Sequence, residues 1–275
     1  MKLVFFILLF AAPAALAQNP ADAMFMPPKK EAGFDDGMLG KPKPLVLDAE
    51  PGDGVPPPPK IWSGGFELGM NGSQGNSPLF NFRLGNDFER KTDSNLFTTN
   101  VNYSYSNQNS IVSQNRALWN MRDEILFGKS PWTLFASSQL EYDQFRDVEF
   151  RLGIYGGVGY TIFNDDVTTM KARVGAGAAR QIGGPQDRWV PEGLLGWECT
   201  HKFTDRQRFI AAVDVYPSLA YFGQYRVRAR AAYEIIVAPE WGLTLRIGIQ
   251  DRYDTNPGDS KRNDFDYFTT IMLRF

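Results

Sequence analysis

What is scarce in this chain narrows its chemistry before any motif is read. One cysteine among 275 residues leaves no intrachain disulfide and no zinc site built on paired cysteines. One histidine removes the usual multi-histidine metal centres, so neither a metal nor a cofactor is expected. A net charge of −2 supplies no basic field for nucleic acid. Long hydrophobic runs are missing too. The longest, residues 3–12, falls short of the roughly 20 residues a spanning helix needs. It lies between Lys2 and Ala15-Leu16-Ala17, a small-x-small cleavage pattern, so residues 1–17 are expected to be a secretory signal peptide. The mature chain then either is soluble outside the cytoplasm or enters a membrane as a β-barrel.

Residues 18–60 hold most of the proline, with Pro27-Pro28, Pro42, Pro44, Pro51 and four in a row at Pro56-Pro57-Pro58-Pro59. Little β-branched sequence lies between them, so the segment cannot bury enough apolar surface to order itself. It reads as a disordered periplasmic tether, partly polyproline II, and its PPPPK end offers a site for a periplasmic partner.

From residue 61 onward, alternation takes over. Residues 141–163 read EYDQFRDVEFRLGIYGGVGYTIF. Val148, Phe150, Leu152, Ile154, Val158, Tyr160 and Ile162 fall on one face. Glu149, Arg151, Gly153, Gly157 and Gly159 fall on the other, broken only by Tyr155. Period two over that length predicts a β-strand with one apolar and one polar face, longer than the usual strand of about 3–10 residues. Twelve such runs are expected, near 61–72, 78–90, 95–106, 112–127, 132–143, 147–163, 167–181, 191–203, 207–218, 223–238, 241–253 and 265–275. The expected fold is all-β: a single antiparallel transmembrane β-barrel of about 12 strands, an up-and-down meander over residues 61–275. An even strand count suits a bacterial outer-membrane barrel.

A soluble barrel alternates as well, with its apolar face inside. Three features separate the two. If both termini face the periplasm, links after even-numbered strands must be short turns, and those near 91–93, 129–131, 164–166, 205–206 and 239–240 are short. Links after odd-numbered strands include the longer 183–190 and 254–264, with 144–147 a short exception. Next, Trp62, Phe88, Phe97, Phe127, Trp132, Phe203, Phe209, Trp241 and Phe275 gather at one end of the strands, each on its strand's apolar parity. Such a girdle is what amphipathic rings form at lipid headgroups. Last, Tyr267, Thr269, Ile271, Leu273 and Phe275 alternate up to a final phenylalanine. That ending resembles the signature outer-membrane proteins present to the barrel assembly machinery. Outer-membrane lipid and that machinery are the expected partners.

With the apolar face on lipid, charges point inward. Arg226, Arg228 and Arg230 hold three successive inward positions of one strand, and Arg246 lies on the next. Their acidic counterparts are Glu141, Asp143, Glu149, Glu198, Asp214 and Glu234. Such a set serves either an internal salt-bridge network or a polar channel with a basic stripe that favours anions. The inward glycines 153, 157, 159, 175 and 177 allow sharp sheet curvature or give room to a large neighbour. Catalysis has little to draw on. Cys199 and His201 lie two apart on the outward face with no orienting third group, and no GxSxG is present.

The order of these features resembles domain-of-unknown-function family 481, the YdiY-like salt-induced outer membrane proteins. The carriers are W-x-G-x-x-x-x-G with a GN after it (Trp62, Gly64, Gly69, Gly75, Asn76), the centre YDQFRDVEFRLGIYGGVGY, and the closing DRYDTNPGDSKRNDFDYFTTIMLRF. The resemblance covers residues 61–275 and implies an outer-membrane barrel with no assigned activity. The function expected is therefore non-enzymatic: a narrow porin-like channel for small, anionic solutes, or a structural envelope protein. A lipid-facing hydrolase and a soluble periplasmic binding barrel are the alternatives.

Overall fold

A computed structural model describes residues 61–75, 78–146, 150–183, 187–258 and 261–275. The expected signal peptide (1–17), the tether (18–60), and Val148 and Glu149 of the central strand lie outside the described residues. Alternating sequence becomes strand wherever it was expected. The strands are β1 (Trp62–Ser73), β2 (Leu79–Lys91), β3 (Asn95–Gln108), β4 (Ile111–Leu126), β5 (Trp132–Asp143), β6 (Phe150–Asn164), β7 (Thr168–Ile182), β8 (Trp189–Thr204), β9 (Gln207–Pro217), β10 (Tyr225–Ala238), β11 (Leu243–Asp254) and β12 (Asn263–Arg274). Each pairs antiparallel with its neighbour in sequence, and β12 returns to β1, closing a twelve-stranded barrel. Closure removes the sheet edges that an open sheet of this length would leave unpaired.

Both described ends of the chain lie at one rim, here called the terminal rim; the other is the distal rim. Terminal-rim turns are short, as at Asp165, whose carboxylate accepts the N–H groups of Val167 (2.9 Å) and Thr168 (2.5 Å). Those two donors hold its pKa below the ordinary value. Pro239–Trp241 form a single 3-10 turn ended by Gly242 in the left-handed region, φ 65°. The distal rim departs from the expected pattern of long links. β3 and β4 are joined by Asn109 and Ser110 alone, with φ 52° and 64°. Two consecutive left-handed residues make a primed hairpin turn, whose twist matches the flanking strands. Loop length therefore distinguishes the rims only in part.

The two faces of the wall distinguish inside from outside far better. Phe66, Leu68, Leu84, Ile154, Val174 and Leu195 are among the large apolar side chains exposed on the outer face. At the terminal rim Trp62, Phe127, Trp132, Phe203, Trp241 and Phe275 are also exposed outward. Several of these rings touch: Trp132 meets Tyr160 edge-on at 4.8 Å, and Phe88 lies 5.2 Å from Phe66 and 5.9 Å from Phe275. Inside, Glu67, Glu124 and Glu234 are only 1% exposed. Apolar outside and charged inside is the polarity of a membrane-spanning barrel and the reverse of a soluble one.

One seam is unlike the rest. β1 pairs with β2 over its full length, from Trp62–Arg90 to Ser73–Leu79. Against β12 it pairs only from Gly65–Arg274 to Leu68–Ile271. The barrel is thus fastened at the terminal rim and loose toward the distal one.

Candidate functional site

Inward parity places the side chains of the lumen, and the ring of strands decides which of them meet. On β10, Arg226 donates to the Glu192 carboxylate of β8 at 2.6 Å and to the Tyr155 hydroxyl of β6 at 3.2 Å. That hydroxyl donates in turn to Glu192 at 2.7 Å. Arg228 reaches across the lumen to Glu141 on β5. Arg230 sits between Ala212 of β9 and Gln250 of β11 and makes no ion pair among the described residues. The basic stripe is therefore two paired guanidiniums and one free one. Arg246 belongs to a different cluster, binding Glu67 at 2.5 Å, Asp87 at 2.7 Å and Glu234 at 2.7 Å.

The acidic residues act as hubs. Glu234 accepts Arg208, Arg246 and Arg274 together. Glu198 on β8 takes Arg173 at 2.6 Å and Arg122, from β4, at 3.2 Å. Asp214 shares Arg173 at 3.4 Å. Near the distal rim, Asp143 on β5 takes Arg252 from β11 at 3.6 Å and Arg146 at 3.7 Å. In a ring of twelve, β5 and β11 stand opposite, so this pair spans the lumen. Charge-assisted pairs of this kind are stronger than neutral hydrogen bonds and tie walls that share no ladder.

An apolar patch inside the lumen escaped the sequence reading. Phe135, Tyr155, Leu194 and Tyr216 form a buried cluster on β5, β6, β8 and β9. Tyr155 and Tyr216 lie 5.1 Å apart, and the Arg226 guanidinium sits 4.9 Å from the Tyr216 ring centre. Glycine makes the floor beneath them. A Cβ at Gly177 would fall 2.0 Å from the Ile154 carbonyl oxygen and 2.7 Å from Tyr155 Cα; at Gly175 it would meet the Phe135 ring at 3.0 Å. Curvature and room for a neighbour are thus met by the same residues. The signal was present as Tyr155, the one break in the alternation, set among inward glycines. An expectation of a uniformly polar lumen hid it.

Between these clusters lies a cavity of about 280 Å³. One side carries a ladder of amides: Gln139 donates to Asn120 at 2.8 Å, and Asn120 donates to Asn100 at 2.9 Å. Tyr155 and Tyr216 line another part of the wall and Phe268 a third, with Arg83 over the Phe268 ring at 3.9 Å. Six arginines, Arg83, Arg122, Arg173, Arg228, Arg230 and Arg246, border the cavity with Asp87 and Asp214, and all but Arg230 are held by carboxylates. It can receive a small solute by hydrogen bonding and by the charge of Arg230.

The outer face offers less. His201 shares a hydrogen bond with the Thr168 hydroxyl at 2.9 Å and meets Phe203 edge-on at 4.8 Å. Cys199 lies opposite Met170 and Ala211 in the ladder. Trp62, Trp132 and Trp241 of the girdle and Tyr267, Leu273 and Phe275 of the C-terminal signature are all exposed on this face.

No curated protein matches the chain. Among solved structures, it is similar to a NanC porin at 11% identity and a TM-score of 0.43, covering 77% of this chain and 97% of that one. It is similar also to the translocator domain of the autotransporter NalP from Neisseria meningitidis at 11% identity and a TM-score of 0.41, covering 81% and 91%. Likeness this distant transfers neither register nor role. The family comparison is of another order: a model described as "protein of unknown function, DUF481" matches residues 66–275. With nearly the whole barrel matched, from the middle of β1 to the end of β12, the chain belongs to the DUF481 family.

Proposed function

We propose that this protein is a non-enzymatic barrel of the bacterial outer membrane that gives small anionic solutes a narrow pathway. The observation that carries the proposal is the lining of the central cavity. Five of its six arginines are paired with carboxylates, and the sixth, Arg230, has no acidic partner among the described residues. An unpaired guanidinium within low-dielectric walls attracts anions, and Arg or Lys side chains in a pore are a common basis for anion selectivity. The terminal rim faces the periplasm in this reading, with residues 18–60 as a tether there after loss of residues 1–17. The closing strand ending at Phe275 is the part offered to the barrel assembly machinery.

Planar-bilayer recordings test it. Purified protein should show small conductance steps, and a salt gradient should give a reversal potential of the anion-selective sign. Absence of steps would favour the second reading, a sealed structural barrel. That reading draws on pairs that cross the lumen, Arg252–Asp143 and Arg228–Glu141. The hydrolase reading is tested separately: no cleavage of a fluorogenic phospholipid is expected, and activity that vanished in His201→Ala would replace the channel by an enzyme.

A further inference from the structure

The loose seam and the cavity are neighbours. Beyond Leu68 on β1 and before Ile271 on β12 the two strands have no ladder partner on this side. They still touch at Gly69, where a Cβ would lie 2.8 Å from both the Thr269 oxygen and Thr270 Cγ2, and then part. Exposure records the parting. Met70 is 70% and Tyr267 85% exposed, against 46% for Leu84 and 45% for Ile249 on the flanking strands. Backbone left unpaired at membrane depth is tolerated only where it borders protein or a water-filled cavity. The inward residue of β12 at this level is Phe268, and Phe268 lines the central cavity with Arg83, Gln250 and Arg230. Farther up, Asp266 on the splayed half of β12 is held from within by Arg116 of β4, which limits how far the strand can swing.

We infer that the splayed half of the β1–β12 seam is a lateral portal between the cavity and the surrounding lipid, and that the cavity takes the anionic head of a single-chain amphiphile whose tail leaves through the seam. The inference rests on the same cavity and the same Arg230 as the proposed pathway, though not on conduction. The parts match the chemistry of such a ligand. Arg230 is the free cation for a carboxylate or phosphate head. Asn100, Asn120 and Gln139 offer polar contacts on the facing wall of the cavity. Phe268 provides an apolar sill at the opening, and Gly69, where the two strands still touch, marks its lower edge. A wholly water-soluble anion would need no sill and no gap. A cavity of about 280 Å³ holds a small head group, and the one gap serves one tail.

The test places a photoreactive benzoylphenylalanine at position 268, at lumen-facing Leu118 on the far wall of the same cavity, and at lipid-facing Leu84. The proteins are reconstituted in phosphatidylethanolamine–phosphatidylglycerol vesicles, and only barrels that shift on a denaturing gel upon boiling are scored. Positions 84 and 268 should capture phospholipid acyl chains and position 118 should not. No adduct at 268 would overturn the portal. The head site is read with palmitate and with acetate as probes: palmitate should bind, acetate should not, and Arg230→Gln should weaken palmitate about tenfold while capture at 268 persists. Absence of palmitate binding, or equal binding by Arg230→Gln, would overturn the ligand class. None of these readouts uses current, so a non-conducting barrel would refute the pathway and leave them unchanged.

Discussion

The arc of wall from β5 to β9 and the arc from β10 round to β2 share one inward parity yet are filled by different means. In the first, which also holds the Glu198–Arg173–Asp214 ion cluster, Phe135, Tyr155, Leu194 and Tyr216 pack over glycines whose backbone they nearly touch. In the second, Glu234 and Glu67 are buried to 1% and gather Arg208, Arg246, Arg274 and Arg83 around them. The first filling is limited by shape and the second by charge. Interiors packed to crystal density resist added volume, whereas a buried carboxylate resists losing its cations. The two arcs should therefore respond to opposite kinds of substitution.

Glu234→Ala should have the largest effect. It leaves Arg208 and Arg274 without an ion pair among the described residues and takes one of three from Arg246, and breaking a buried ionic cluster by removing one partner costs about 3–5 kcal/mol. Urea unfolding in detergent, followed by tryptophan fluorescence, measures it. A loss no greater than that of an exposed glutamate would mean that water already solvates the hub, and the contrast between the arcs would fail. Gly177→Val attacks the other arc. Its new Cβ meets main-chain atoms of Ile154 and Tyr155, which no rotamer change can move. The expected cost is about 3 kcal/mol, the upper end for overpacking, seen as a lowered unfolding midpoint. The same substitution at Gly75, where a Cβ would meet nothing within 4 Å, is limited to backbone strain from its φ of 117°.

Tyr155→Phe sharpens the comparison, because this residue joins the arcs through Glu192 and Arg226. Losing its hydroxyl should cost about 1.5–3 kcal/mol in the same unfolding assay, since two charge-assisted bonds disappear, to Glu192 and from Arg226, while Glu192 keeps Arg226. A cost near zero would mean the ring alone matters there. Arg230→Gln should have the smallest effect on stability, within about 0.5 kcal/mol, because no ion pair is broken. Its reversal potential in a salt gradient should nevertheless move toward zero. Selectivity and stability would then reside in different arginines of one strand.

Much of the barrel was readable along the chain because period two is a local property. The twelve strands begin and end within three residues of where alternation placed them. The outward placing of Trp62, Trp132 and Phe275 came from the same parity. The link between β3 and β4, expected over 107–111, is only Asn109 and Ser110, because the strand pattern continues almost through it and two left-handed residues make the reversal. Tyr155 looked like an interruption because a single strand does not reveal what stands across the lumen from it.

The sequence by itself determined which residues face inward, since alternation fixes parity regardless of how far the sheet curls. It also determined that charge lines the inside, for the apolar parity is the continuous one. Only the tertiary structure decided which charges meet. Glu141 finds Arg228 five strands away, and Asp143 finds Arg252 on the opposite wall, because closure of the ring brings distant strands face to face. The free state of Arg230, the aromatic patch on its glycine floor and the half-fastened seam have the same origin. Each depends on the stagger and closure of twelve strands, which no local period encodes.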